Sequence, residues 1–137
     1  INCREHFAVL GWIGREFNVD ADWYDGTCKI QTYHIEEMIG TKLRALYQRK
    51  YGRDLYDIYK ALTLVSMNID QVIQCYREYI GFVVAKPPTQ KQYLMNLEEK
   101  MQEKEFFQDT TSLLRPDESY DYEEAYDIVK KSILYYL

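Results

Sequence analysis

Residues 33–62 read YHIEEMIGTKLRALYQRKYGRDLYDIYKAL, and apolar residues recur through them at helical spacing. An interval of three or four positions keeps these residues on one face of an α-helix. The first set is Ile35, Ile39, Leu43 and Leu46, and the second is Leu55, Ile58, Leu62 and Val65. Gly52 lies between the sets and is expected to stop the first helix. The stretch therefore predicts two helices packed as an antiparallel hairpin.

Weaker signals flank this helical hairpin. Alternating residues at positions 1–7 and 27–33 predict short strands, while glycines and residues 20–26 break this region into short extended pieces. Further helices are expected over residues 69–80, 90–107 and 121–137, with Asn68 or Asp70 as a cap for the first of them. The predicted fold is α+β but mainly α, with two or three short amino-terminal strands followed by a bundle of about five helices.

Composition narrows the class of protein. A chain of 137 residues that is 47% hydrophobic and 28% charged is expected to form one globular domain. No apolar run approaches the roughly 18 residues of a membrane span, and no signal peptide is visible, so a soluble cytoplasmic protein without a membrane partner is expected. A net charge of −5 argues against general nucleic-acid binding. Three scattered cysteines and two histidines predict no metal site.

Charged residues flank both apolar stripes of the predicted hairpin. On a helical wheel, Lys42 and Arg49 fall two turns apart with the small Ala45 between them, which leaves room for a ligand. In the second helix Asp54 and Asp57 are three residues apart on the flank of the apolar stripe. In an antiparallel hairpin the cationic and acidic flanks face each other near one pocket.

Each of these charges also has an ordinary structural explanation. Asp54 is suited to cap its helix, Arg53 and Asp57 have the spacing of a helical ion pair, and Lys42 can extend along the edge of the core. Residues 42–53 hold five bases and no acid, and residues 117–127 hold six acids and no base. Such runs are commonly solvated helix faces. Spacing alone leaves a phosphate-binding surface and solvated faces both open.

Taken as a set, the residues resemble a known family. The string E-E-x-x-x-x-K-L-R-A-L-Y-Q-R-x-x-x-R-D-L-x-D-I, from Glu36 to Ile58, is similar to carboxyl-terminal motifs of the AbiEii/AbiGii toxin family of nucleotidyltransferases. Residues 1–5 resemble the family's central region, and residues 107–121 resemble its closing segment. The resemblance covers essentially the whole chain.

The resemblance implies the second half of a polymerase-β-like nucleotidyltransferase from a toxin–antitoxin or phage-defence system. The intact protein would use Mg²⁺ and a nucleoside triphosphate, would modify RNA or a protein, and would have a cognate antitoxin. The family's metal pattern, Gly-Ser followed by Asp-x-Asp, is missing from this sequence. This part alone is therefore expected to be inactive and to hold neither the metal nor the nucleotide.

The same resemblance implies roles for individual residues. Lys42 would contact the triphosphate, and Arg49 and Arg53 would support it as nucleotide-binding cations. Asp54 would be a polar or acid–base group, and Asp57 would orient Arg53 or the nucleotide. Residues 1–33 would be the remnant of the nucleotidyltransferase sheet. Residues 34–137 would form a helical domain, with the motifs in residues 34–85 and the carboxyl-terminal helices in residues 89–137.

A function of a different class stays open beside this one. The basic hairpin and the acidic carboxyl-terminal region would also suit a non-catalytic helical module that docks a partner protein. Such a module would tolerate charge reversal at Lys42 but not the loss of helix-packing residues, whereas a nucleotide site would show the opposite pattern.

Overall fold

The structure is a computed structural model, and it describes residues 7–137. Two antiparallel strands, β1 (Trp12–Ala21) and β2 (Tyr24–Tyr33), are followed by helices. In this part of the chain the α-helices are α1 (Ile35–Gln48), α2 (Gly52–Leu64), α3 (Ile69–Gly81), α4 (Gln90–Lys100), α5 (Lys104–Thr111) and α6 (Tyr122–Ser132). A short 3-10 helix (Leu134–Tyr136) comes last. The predicted α+β, mainly α fold is confirmed.

The strands are longer than the short pieces expected from the sequence. Each has ten residues, and their pairing runs without a break to Ala21 opposite Tyr24. Gly14 lies inside β1 and does not interrupt it, because a residue without a side chain still pairs through its backbone. The predicted break at Gly14 was therefore wrong, whereas the hairpin turn at residues 22–23 lies within the break predicted over residues 20–26. The strand predicted for residues 1–7 lies outside the described residues, except for Phe7, which is not in a strand.

The helices follow the predicted spacing, with differences towards the carboxyl end. Asn68 caps α3, since its side-chain oxygen accepts a hydrogen bond of 3.2 Å from the backbone N–H of Gln71. The single helix expected over residues 90–107 forms as two helices, α4 and α5, and Phe106 of α5 is buried in the core. The helix expected over residues 121–137 likewise ends at Ser132, before the short 3-10 helix.

Gly52 has a different role from the predicted one. It is the first residue of α2, whereas α1 already ends at Gln48. A Cβ atom at Gly52 would clash with the carbonyl oxygen of Phe106 and would lie 2.7 Å from Oγ1 of Thr110. Gly52 therefore allows α5 to approach the start of α2 closely.

One hydrophobic core joins the helices, with α1 packed against α2, α3 and α4. Its fully buried members include Leu43, Leu46, Leu55, Ile58, Val72, Ile80, Ala125, Val129, Ile133 and Leu134. The core therefore draws on the motif-bearing residues 34–85 and on the carboxyl-terminal residues 89–137 alike.

Glu37 fixes the segment before the β-hairpin to α1. Its side chain is fully buried, and its two oxygens accept hydrogen bonds from the backbone N–H groups of Val9, at 2.7 Å, and Leu10, at 3.1 Å. The hydroxyl of Tyr79 donates a third bond of 2.6 Å from α3. These donors satisfy a carboxylate that would otherwise be costly to bury. Glu37 thereby holds the segment before the β-hairpin against α1, the helix that carries Lys42.

Candidate functional site

The charged flanks of α1 and α2 face each other, as the sequence predicts. The ammonium nitrogen of Lys42 lies 3.1 Å from Oδ1 of Asp54 and 2.6 Å from Oδ2 of Asp57. Two turns along α1, Nε of Arg49 lies 3.8 Å from Oδ2 of Asp54. The later cation, Arg49, pairs only with the earlier acid, Asp54, whereas Lys42 also reaches Asp57. This order of contacts is the one expected of antiparallel helices. The predicted helical hairpin and its facing charges are confirmed.

Asp54 is the buried member of this group. Its side chain is 3% exposed and lies in the first turn of α2, where Tyr51 is the N-cap residue and makes no capping hydrogen bond through its side chain. The capping role considered for Asp54 was therefore wrong. Oδ1 accepts a hydrogen bond from Lys42, while Oδ2 makes none within the described residues. A buried carboxylate requires nearby cations, and Lys42 and Arg49 supply them.

Lys42 is held between two carboxylates at the edge of the core. Burial acts against its charge, but the hydrogen bond to Asp57 and the charge of Asp54 outweigh burial and raise the pKa of the lysine. The ammonium group therefore stays protonated at neutral and moderately alkaline pH. It has three N–H donors, two of which are directed at the carboxylates. The third is available to a ligand, because the side chain is 36% exposed.

A cavity of about 880 Å³ opens beside this group. Its lining includes the charged residues Lys42, Arg44, Arg49 and Asp57 and the smaller or apolar residues Met38, Ala45 and Ala61. The two alanines leave space across the helices, as their spacing in the sequence indicates. Among the described residues that line the cavity, bases outnumber acids by three to one. Its size and charge suit a small anionic ligand.

Arg53 points away from this cavity. Its Nε lies 3.7 Å from Oδ2 of Asp109, and its backbone N–H donates a bond of 3.2 Å to the same oxygen. Its guanidinium group lies 4.5 Å from the ring centre of Tyr51. The helical pair considered between Arg53 and Asp57 does not form, because Asp57 binds Lys42 instead. Asp109 thus takes the place of a cap at the start of α2.

Arg53 lines a second cavity, which has a volume of about 410 Å³. Its lining includes Arg53, Tyr56, Asp57, Arg115 and Glu118. Asp57 contributes to both cavities, whereas Lys42 and Arg49 line only the larger one. The structure therefore brings Lys42, Arg49, Asp54 and Asp57 together and separates Arg53 from them.

A family model described as "Nucleotidyl transferase AbiEii toxin, Type IV TA system" matches residues 1–128. The chain belongs to this family. The match includes the α1–α2 site and the closing segment, so the resemblance drawn from the sequence is confirmed. Comparison with curated proteins and comparison with solved structures each found no match.

Both charge runs of this AbiEii chain contribute to contacts between or within elements. Lys50 in the basic run lies 2.7 Å from Glu103, while Glu118 in the acidic run is paired with Lys60 of α2. Asp121 caps α6 by accepting hydrogen bonds from the backbone of its first turn. Of the five bases in the basic run, Lys42, Arg44 and Arg49 line the larger cavity, whereas Lys50 and Arg53 do not.

Lys100 is a residue that sequence reasoning missed. It is 3% exposed, and its ammonium nitrogen donates hydrogen bonds of 2.5 Å and 2.7 Å to the carbonyl oxygens of Leu46 and Tyr47 at the end of α1. Its one sequence signal is spacing, since it follows the buried Leu97 by three positions and Tyr93 by seven. Burial, together with the charge of Lys50, lowers the pKa of Lys100 to about 8.

The carboxylates of the AbiEii site do not fit a magnesium ion. Within residues 7–137, no three side chains of His, Cys, Asp or Glu come together in a group that could hold a metal. Asp54 and Asp57 are both directed at Lys42, which occupies the position that a metal would need. In the same part of the chain no helix is long and apolar enough to cross a membrane.

Proposed function

We propose that this chain is the carboxyl-terminal helical part of an AbiEii nucleotidyltransferase, and that the larger cavity receives the triphosphate of the nucleotide donor in the intact protein. The observation that carries the proposal is the position of Lys42. Asp54 and Asp57 hold its ammonium group at the wall of the cavity, beside Arg49. A cation that is already held in place binds phosphate without having to be ordered first.

Each residue of the group takes a distinct part in this proposal. Lys42 donates its remaining N–H to a phosphate oxygen, and Arg49 offers terminal nitrogens that make no hydrogen bond within the described residues. Asp54 does not line the cavity, so it acts through Lys42 as a positioning residue. Asp57 does line it and is the carboxylate that an acceptor group can reach. Arg53 supports the start of α2 through Asp109.

The reaction proposed for the intact protein is nucleotidyl transfer, the activity that the family description names. A hydroxyl oxygen of an RNA or protein acceptor loses its proton to solvent and attacks the α-phosphorus of a nucleoside triphosphate, and pyrophosphate leaves with the bonding electron pair. Mg²⁺ would accompany the donor, held by the family's Gly-Ser motif followed by Asp-x-Asp, a combination that this sequence does not contain. As a member of a toxin–antitoxin family, the intact protein is expected to have a cognate antitoxin.

Inorganic tripolyphosphate is the probe that tests the proposal on this chain, because it reports phosphate recognition without a metal or a base. Calorimetric titration is expected to show weak binding that falls about tenfold in Lys42→Ala, since a charged hydrogen bond contributes about 1.5 to 3 kcal/mol. The matched control is Lys91→Ala, which removes an exposed lysine of α4 outside both cavities and is expected to leave binding unchanged.

Equal binding by the parent and Lys42→Ala would overturn the proposal for this cavity. In the intact protein, Lys42→Ala and Asp54→Ala are expected to lose most nucleotidyl transfer. Activity equal to that of the parent in both variants would remove the roles given to these two residues.

One observation favours the protein-interaction module as a second candidate. Trp23 at the turn of the β-hairpin is 87% exposed and the adjacent Tyr24 is 54% exposed. Exposed aromatic residues are typical anchors in protein interfaces. If docking is the function, Trp23→Ala abolishes capture of the partner and Lys42→Glu does not. If nucleotide binding is the function, Lys42→Glu is the damaging change.

A further inference from the structure

We propose that Lys100 is a positioning residue for the phosphate site: its charged ammonium group fixes the last turn of α1, from which Arg49 reaches the larger cavity. The inference rests on the proposed function, because it concerns how that cavity binds phosphate. It adds a residue from α4 that does not line the cavity and lies outside the α1–α2 motif.

The end of α1 depends on donors from α4. The last four carbonyl groups of an α-helix have no partner within the helix. Lys100 satisfies two of them, on Leu46 and Tyr47, and the hydroxyl of Tyr93 donates a further bond of 2.7 Å to the carbonyl of Leu43. Arg49, the C-cap residue of α1, follows directly after this turn. Hydrogen bonds from α4 therefore fix the last turn of α1, and this turn sets the direction in which Arg49 leaves the helix.

The positive charge of Lys100 stabilises the carboxyl end of α1. The carboxyl end of a helix carries partial negative charge and is stabilised by a nearby cation. The last turn of α1 contains no basic residue of its own, so Lys100 supplies the cation from another helix. An apolar residue would be cheaper to bury than an ammonium group. The retained charge is explained if it orders the turn that presents Arg49.

Protonation of Lys100 should therefore control phosphate binding. The charged groups that face it are Lys50 from the α1–α2 connection, Asp54 from α2 and Glu103 from the α4–α5 connection. Burial is the largest influence on its pKa, which is lowered to about 8, so the charge is lost over a pH range in which Lys42 stays protonated. Tripolyphosphate only becomes more negative as pH rises. A fall in affinity over this range that Lys100→Met abolishes would then trace to Lys100.

The experiment measures the affinity for inorganic tripolyphosphate from pH 7 to 9.5 in the parent, in Lys100→Met and in Lys100→Arg. In the parent the affinity is expected to fall about fivefold through pH 8, the size of a helix-terminus charge effect. Lys100→Met, which has a side chain of similar length without the charge, should bind about fivefold more weakly at pH 7 and show no fall. Lys100→Arg keeps its charge and should restore binding at high pH.

The outcomes separate this inference from the proposed function. If the parent binds through Lys42 but its affinity does not change with pH, the role of Lys100 is overturned and the cavity assignment stands. If tripolyphosphate does not bind, or binds independently of Lys42, the proposed function and this inference both fail. Should Lys100→Met not fold, the pH profile of the parent alone decides.

Discussion

Glu37 and its neighbour Glu36 differ sharply in what they contact, although the sequence places them side by side. Glu37 accepts three hydrogen bonds while fully buried, whereas Glu36 is only partly buried and accepts one bond of 3.2 Å from the backbone of Asn68. Replacing Glu37 by Gln puts an NH₂ group where an acceptor is needed. We expect Glu37→Gln to reduce the free energy of unfolding by about 1 to 3 kcal/mol.

Urea unfolding monitored by circular dichroism measures this difference. The matched variant Glu36→Gln makes the same chemical change at a partly exposed site with one hydrogen bond and is expected to stay within about 0.5 kcal/mol of the parent. Equal decreases in the free energy of unfolding in the two variants would show that the hydrogen bonds of Glu37 do not stabilise the segment before the hairpin.

At the scale of single residues, sequence reasoning found those site residues whose partners are near in the chain. Lys42, Asp54 and Asp57 lie within two adjacent helices, so helical spacing was enough to predict that they meet. Arg53 was placed wrongly beside Asp57, because its partner Asp109 is 56 positions away. Lys100 contacts Leu46 across 54 positions. Contacts that span this much chain depend on the packing of the whole core, which periodicity does not specify.

At the scale of helices, Gly52 controls the approach of α5 to α2. Gly52→Ala would place a methyl group against the carbonyl of Phe106 and Oγ1 of Thr110, and α5 would have to move. Overpacking of this kind costs about 1 to 3 kcal/mol. We therefore expect a lower thermal midpoint for Gly52→Ala in a circular dichroism melt.

Gly81, the last residue of α3, provides the matched control. A Cβ atom there meets nothing within 4 Å. Gly81→Ala is expected to be neutral or to stabilise the protein by up to about 1 kcal/mol, because alanine is the better helix former. A Gly52→Ala protein as stable as Gly81→Ala would contradict the close packing of α5 on α2.

The elements that were predicted least well have no local signal in the sequence. No proline or glycine separates α4 from α5 over residues 101–103, so nothing nearby indicates a break. The break is explained by the burial of Phe106 against α2, which is a long-range effect. The β-hairpin turns through residues 22–23, inside the break predicted over residues 20–26, but the length of its two strands was not predicted. The long helices α1 to α3, with clear apolar stripes, were predicted correctly.

At the scale of the whole molecule, stability should come from the helices and little from the β-hairpin. Within the described residues the two strands pack chiefly on each other. Phe17 in β1 is 52% exposed, while Phe106 in α5 is 1% exposed. Phe106→Ala is expected to cost about 3 to 5 kcal/mol in urea unfolding. Phe17→Ala makes the identical change and should cost less than about 1 kcal/mol; similar losses would place the hairpin in the core.

Lys100 should also give the whole molecule a pH-dependent stability. Its pKa is lowered from 10.5 in the unfolded chain to about 8 in the folded protein, so the unfolded state binds more protons between these values. The free energy of unfolding therefore increases as pH rises above about 8, and the contribution of Lys100 to this increase is about 1 to 2 kcal/mol between pH 8 and pH 9.5. Urea unfolding of the parent and Lys100→Met should show this rise in the parent alone. Parallel pH profiles would contradict the lowered pKa.

The most direct measurement of the central claim locates the bound phosphate by nuclear magnetic resonance. The chain is labelled with ¹⁵N at lysine and arginine side chains and titrated with inorganic tripolyphosphate. We expect the Nζ signal of Lys42 and the Nε signal of Arg49 to shift together, with Lys91 unchanged, because the first two line the larger cavity. Shifts confined to Arg53 and Arg115 of the smaller cavity, or to exposed lysines alone, would contradict the assignment of the phosphate site to the α1–α2 hairpin.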